Sequence, residues 1–109
     1  MKNLICASFI FRPGQYDEEF HRLDKSIDNF AVTLPGFVGV ERWLHPDGET
    51  KMSNYYFDNM QTVAEFSKFA DHREAKSKYT NWYRGYQIVI SQVQASYGDG
   101  VIQHLTQKN

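Results

Sequence analysis

From Tyr16 to Leu34 the apolar residues are Tyr16, Phe20, Leu23, Ile27, Phe30 and Leu34, at intervals alternating between four and three. Only an α-helix gathers that rhythm into one continuous stripe. Asp17, Glu18 and Glu19 occupy its first turn, where the positive end of the helix dipole favours acids, and Glu18 and Arg22 stand four apart as a supporting pair. Pro35-Gly36 stops it. A striped helix has to bury its stripe, and the flanking segments read as the strands that receive it.

Residues 3–11 form the first strand. Leu4 to Phe11 is apolar on both alternating faces, so both faces need cover, and Arg12-Pro13-Gly14 ends the run. Phe37 to His45 is a second strand, with Val38, Val40 and Leu44 on one face and Phe37, Glu41 and Trp43 on the other. Pro46-Asp47-Gly48 is turn chemistry, and Lys51 to Phe57 returns antiparallel to close a hairpin. Asp58 is placed to cap the next helix with Gln61 three residues on, and Val63, Phe66, Phe69 and Ala70 form that helix's inner face. Asp71 and Glu74 repeat the cap pattern, so a new helix or a bend begins near His72. Its stripe is Ala75, Tyr79, Trp82, Tyr83 and Tyr86, and Gly85 suits its end. Tyr86 to Tyr97 is the last strand.

The order βαββαβ, with an extra helical segment before the last strand, is a ferredoxin-like α+β domain. It takes residues 1–98 and leaves 99–109 as a C-terminal tail. Such a sheet carries both helices on one face. The first and last strands are apolar on both faces, which would leave a large exposed apolar surface, and a homodimer pairing through that sheet face covers it.

At 109 residues there is room for one domain. Lys+Arg 12 against Asp+Glu 13 gives no basic patch for nucleic acid. Cys6 is alone, which excludes an intrachain disulfide, and neither a membrane span nor a signal peptide is visible, so a cytoplasmic protein is expected. His21, His45, His72 and His104 lie on separate elements without metal-ligand spacing, so no metal site is expected. No phosphate-binding glycine loop and no GxSxG elbow occurs. Cys6, inside a strand, reads as a small core residue.

Eight Phe, seven Tyr and two Trp are many for a chain this short. His72, Tyr79, Trp82 and Tyr83 cluster after Phe66 and Phe69, with Asn54, Tyr55 and Tyr56 on the third strand. The aromatics either fill the core between helices and sheet or wall a cavity for a flat hydrophobic ligand, oriented by a few polar groups. The residues alone leave both readings open.

Several segments taken together carry a resemblance. They are Leu34-Pro-Gly-Phe-Val-Gly-Val-Glu41, His72-Arg-Glu-Ala-Lys76, Asn81-Trp-Tyr-Arg-Gly-Tyr86 and Ser96-Tyr-Gly-Asp99. In this order the chain resembles the antibiotic-biosynthesis monooxygenase (ABM) domain family over about residues 3–98. The resemblance implies a dimeric α+β barrel and oxygen-dependent chemistry on a flat aromatic substrate or on haem. The Asn, Trp and His that haem-degrading members use are not matched: Cys6, Ala7 and Ser8 fill the first strand, Phe66 or Phe69 stands for the Trp, and Lys76 or Tyr79 for the His.

The leading expectation is therefore a monooxygenase that oxidises a small aromatic or quinol-like molecule with O2, without metal or flavin. Phe66, Tyr79, Trp82 and Tyr83 would shape its pocket, and Asn54 and His72 would be the polar orienting or proton-transfer groups. The alternatives are a haem-binding or haem-degrading monooxygenase and a non-catalytic dimeric ligand-binding or stress-related module.

Overall fold

The computed structural model describes residues 4–16, 18–75 and 83–107; the side chains of Glu19, Phe20, Leu23 and residues 70–75 lie outside that description. Strand β1 (Leu4–Pro13) leads to helix α1 (Glu18–Thr33), and the hairpin β2 (Phe37–Leu44) and β3 (Lys51–Phe57) follows. Helix α2 (Met60–Ala75) and strand β4 (Tyr83–Val93) complete the order, and a single 3-10 turn (Leu105–Gln107) stands in the tail. The four strands form one antiparallel sheet in the order β2-β3-β1-β4. This is the expected ferredoxin-like α+β arrangement, with β1 central.

Cross-strand partners share a face. Ile5, Ala7, Phe9 and Phe11 of β1 stand level with Phe57, Tyr55, Ser53 and Lys51 of β3. This is the helix-side face, where Ile27 and Ala31 of α1 and Val63 and Phe66 of α2 close over Ile5, Ala7, Tyr55 and Phe57. Phe57 and Val63 are fully buried at its centre. The opposite face carries Cys6 and Ser8 level with Tyr56 and Asn54.

Several boundaries differ from the sequence reading, each for a local reason. The capping residue of α2 is Asn59 rather than Asp58: its Oδ1 accepts the Thr62 amide at 2.8 Å, and Thr62 Oγ1 is tied to the Pro35 carbonyl at 2.8 Å. α2 then runs unbroken through Asp71 and His72, so the second cap-like pair starts no helix at that point. Tyr83, Gly85 and Tyr86 belong to β4, not to a helix, because they pair with Pro13, Arg12 and Phe11 of β1. Residues 76–82, where the rest of the extra helical segment was expected, lie outside the described residues. β4 ends at Val93, short of Tyr97. Phe37 packs with Phe57 on the helix side, since the register shifts between Phe37 and Gly39 and returns Phe37 to the core. β1 continues through Pro13 past a register shift after Arg12.

The expected hairpin turn is present. Asp47 Oδ1 accepts the amides of Glu49 and Thr50, both at 2.8 Å, and Oδ2 accepts the Thr50 hydroxyl at 2.7 Å. Those three bonds hold the Asp47 carboxyl well below the ordinary carboxylate range.

The tail folds back over the face that carries no helices. Thr106 is buried and hydrogen-bonded to Ser96, His104 Nε2 lies 2.9 Å from Glu41 Oε1, and the His104 ring meets Tyr56 edge-on. A Cβ built on Gly39 would lie 2.9 Å from Leu105 Cδ2, so glycine at this position lets the tail approach the sheet closely. Gly39→Val is expected to lift the tail. Chymotrypsin cleavage after Leu105 should become markedly faster, with a loss of about 1–3 kcal/mol in urea unfolding.

Candidate functional site

Core packing fills only part of the space between α1 and the helix side of the sheet. A cavity of about 510 Å³ remains, bounded by α1, by Phe66 and Ser67 of α2, and by all four strands. Its size falls within the range of small-molecule sites.

Aromatic rings crowd one end. Phe9 and Phe11, two residues apart on β1, stack with centroids 5.0 Å apart. The Tyr83 ring stands edge-on to both at 5.3 Å, and Tyr16 is edge-on to Tyr83 at 6.5 Å. On the α2 side, Phe66 packs on Tyr55 with centroids 4.7 Å apart.

The polar wall is made by α1 and β2. His21, Asp24 and Asp28 stand at intervals of three and four on α1 and therefore lie along one side of it. Arg42 of β2 donates from Nη2 to both Asp28 oxygens at 3.0 Å, and the Tyr55 hydroxyl donates to Asp28 Oδ1 at 2.8 Å. Burial and the Asp28 carboxylate push the Tyr55 phenol far up, so Tyr55 remains a protonated donor.

Asp24 is placed differently. Among the described residues no hydrogen bond or ion pair falls on its carboxylate. Although Asp24 is exposed as a residue, partial desolvation of its carboxyl, followed by the charge of Asp28, raises its pKa against a partial opposing pull from Arg42 and His21. Folding thus makes Asp24 hold its proton more tightly than the unfolded chain does. The resulting penalty is present above the folded pKa and disappears as pH falls below the unfolded carboxylate value of about 3.9. Asp24→Asn is therefore expected to raise Tm near neutral pH, and the gain should shrink to nothing in acid. Thermal melts across that range check it.

The residues singled out from the sequence separate into groups. Phe66 and Tyr83 line the cavity. Tyr79 and Trp82 lie outside the described residues, and so does the side chain of His72, on the last turns of α2. Asn54 lies on the opposite face of the sheet. There its Oδ1 accepts the Ser8 hydroxyl at 2.7 Å, and its Nδ2 donates to Glu41 Oε2 at 3.2 Å. The Tyr56 hydroxyl donates to the same Glu41 oxygen at 2.6 Å. Burial opposes ionisation of Glu41, but the bonds from Tyr56 and Asn54, with His104 beside it, outweigh that and lower its pKa. This cluster fastens the tail to the sheet, and of its residues only Ser8 also borders the cavity.

Phe9, Phe11, Tyr16, His21, Asp24 and Arg42 were not singled out from the sequence. The available signal was the acidic flank of the α1 stripe, where Asp24 and Asp28 bracket Ile27 while Ala31, one turn on, is almost wholly buried.

No family model matches the sequence, and no curated protein does. Solved structures do. SnoaB, a cofactor-independent oxygenase from Streptomyces nogalater, superposes with a TM-score of 0.58 at 12% identity, over 92% of this chain and 99% of SnoaB. A dabb family protein with a ferredoxin-like fold from Mesorhizobium loti gives 0.57 at 11% identity, over 89% and 100% of the two chains. The chain has the ABM/dabb ferredoxin-like fold. A hydroxynitrile lyase from Passiflora edulis shares it too, with a TM-score of 0.63 at 14% identity over 90% and 100%. A fold common to an oxygenase and a lyase does not choose the chemistry; the cavity has to.

Among the described residues no group of three or more His, Cys, Asp and Glu side chains could hold a metal ion, and no helix is long and apolar enough to cross a membrane. The cavity's donors suit haem poorly. His21 shares its wall with the Asp24 carboxylate, and Arg42, which could have met a propionate, is already neutralised by Asp28.

Proposed function

We propose that this chain is an ABM-type oxygenase that oxidises a small aromatic or quinol-like compound with O2, without metal or flavin. The observation that carries the reading is the 510 Å³ cavity between α1 and the sheet, with Phe9, Phe11, Tyr16, Tyr83 and Phe66 in its walls. A flat ring is the ligand shape such walls complement, since stacked and edge-on contacts each add about 0.5–1.5 kcal/mol beyond burial. The chemistry needs no external reductant. A phenol converted to a quinone gives up four electrons, O2 accepts all four, and one oxygen atom stays on the ring while the other leaves as water. SnoaB, on the same fold, is a cofactor-independent oxygenase.

An oxygen electrode tests the reading with a panel of electron-rich phenols and hydroquinones. Consumption above the buffer rate, abolished by denaturing the protein, is expected; none above buffer across the panel would sink it. The cavity weighs against a purely packed, non-catalytic module, and its donor set weighs against haem.

Pairing of two copies through the sheet, in a cytoplasmic protein, belongs to the same proposal. Large apolar side chains stay exposed on that face and in the tail, among them Trp43, Val89, Tyr97, Val101 and Ile102. Sedimentation at micromolar concentration is expected to give twice the mass of one chain, and a folded monomer would contradict it.

A further inference from the structure

Two carboxylates stand on the same side of α1 in different situations, and of the two only Asp24 lines the cavity. Asp28 is engaged by Arg42 and by the Tyr55 hydroxyl. Asp24, one turn earlier on the same side of α1, lines the cavity with no described group bonded to it. A ligand entering between the aromatic rings and α1 would therefore meet a carboxylate whose lone pairs are available.

We propose that Asp24 is the proton acceptor of this cavity, and that its ligands are flat rings bearing a phenolic O–H or a C–H activated by such a hydroxyl. The inference rests on reading the cavity as a substrate site. In the step, the substrate O–H bond breaks, the proton passes to an Asp24 oxygen, and the electron pair stays on the substrate oxygen and spreads into the ring. Net charge is unchanged. Arg42 stands in the same wall but is paired with Asp28, so the phenolate that forms is stabilised by spreading its charge into the ring. The resulting ring is electron-rich enough to react with O2 in the oxygenase reading, yet the proton transfer itself consumes no oxidant.

Asp24 is exposed as a residue, at the mouth of the cavity, and the partial desolvation of its carboxyl, with Asp28 beside it, makes it a somewhat stronger base than a free aspartate. The titratable groups that share the cavity wall with it are Tyr16, His21, Arg42, Lys51, Tyr55 and Tyr83, and Asp28 stands beside it on α1. Of these, Arg42 and His21 lower its pKa and Asp28 raises it.

The experiment is anaerobic exchange of 1,3-dihydroxynaphthalene in D2O, followed by NMR. The ring hydrogen between its hydroxyls exchanges through the phenolate, with binding read from line broadening of the same spectra. The protein is expected to accelerate exchange above the buffer rate, with a rising limb in its pH profile. Asp24→Asn should bind the probe as before, lose at least about tenfold of the rate, as removal of a general base does, and lose that limb. Exchange by Asp24→Asn at the unsubstituted rate overturns the proposal, as does bound probe exchanging no faster than in buffer. Failure of the probe to bind overturns the substrate-site reading along with it. Exchange that depends on Asp24, without oxygen uptake by any phenol, retires the oxygenase reading alone and leaves Asp24 as the base.

Discussion

Phe57→Ala is expected to remove about 3–5 kcal/mol of stability, because it empties the larger of two fully buried positions among the described residues. Phe57 has no exposed surface. It sits level with Ile5 of β1 and Phe37 of β2 and packs its ring on Phe66 of α2, with centroids 5.3 Å apart. No flexible neighbour can collapse into the space, since three secondary-structure elements meet there. Domains of this size hold only about 5–15 kcal/mol in total, so the variant should lose roughly 15 °C or more in Tm. Calorimetry checks it, and a loss below about 1 kcal/mol would mean that the helices do not close over the sheet as described.

The second large effect concerns binding rather than folding. Ser53 is buried on β3, points to the helix side between Phe9 and Arg42, and lines the cavity. Ser53→Trp should place its indole in space that no side chain occupies. The usual cost of overpacking, about 1–3 kcal/mol, should then be mostly avoided. Affinity for a phenolic ligand is expected to fall at least about tenfold, which corresponds to 1.4 kcal/mol, while the unfolding midpoint in urea stays close to that of the unsubstituted protein. Equal affinity in both proteins would move the ligand site elsewhere.

Much of the architecture was legible in the sequence, and the reasons are local. The α1 stripe, the Pro35-Gly36 stop and the Asp47 turn are each written in consecutive residues, and a handful of neighbours realises them. Where two periodicities fitted the same residues, the sequence could not decide. Tyr79, Tyr83 and Tyr86 satisfy a helical repeat, while Tyr86, Ile88 and Ile90 satisfy a strand repeat, and pairing with β1 settles Tyr83 onward as strand.

The site was harder to read. Ser53-Asn54-Tyr55-Tyr56 sets polar beside polar and aromatic beside aromatic, so its pattern does not reveal which residues face the helices. Asn54 consequently passed for a pocket residue, whereas pairing places Ser53 and Tyr55 there and Asn54 behind. Asp24 was hidden for another reason. Its importance comes from Arg42, Tyr55 and Asp28 binding one another and not it, a long-range arrangement that no spacing encodes.

The central position of β1 has a consequence for how this protein can vary. Its odd-numbered residues from Ile5 to Phe11 belong to the ligand side, and Cys6 and Ser8 belong to the side closed by the tail. Adjacent codons thus answer to unrelated constraints. A saturation library across residues 5–11, selected for ligand capture and separately for resistance to cleavage in the tail, should give two tolerance profiles that are out of phase by one residue. The two surfaces can then be altered independently although a single extended segment carries both.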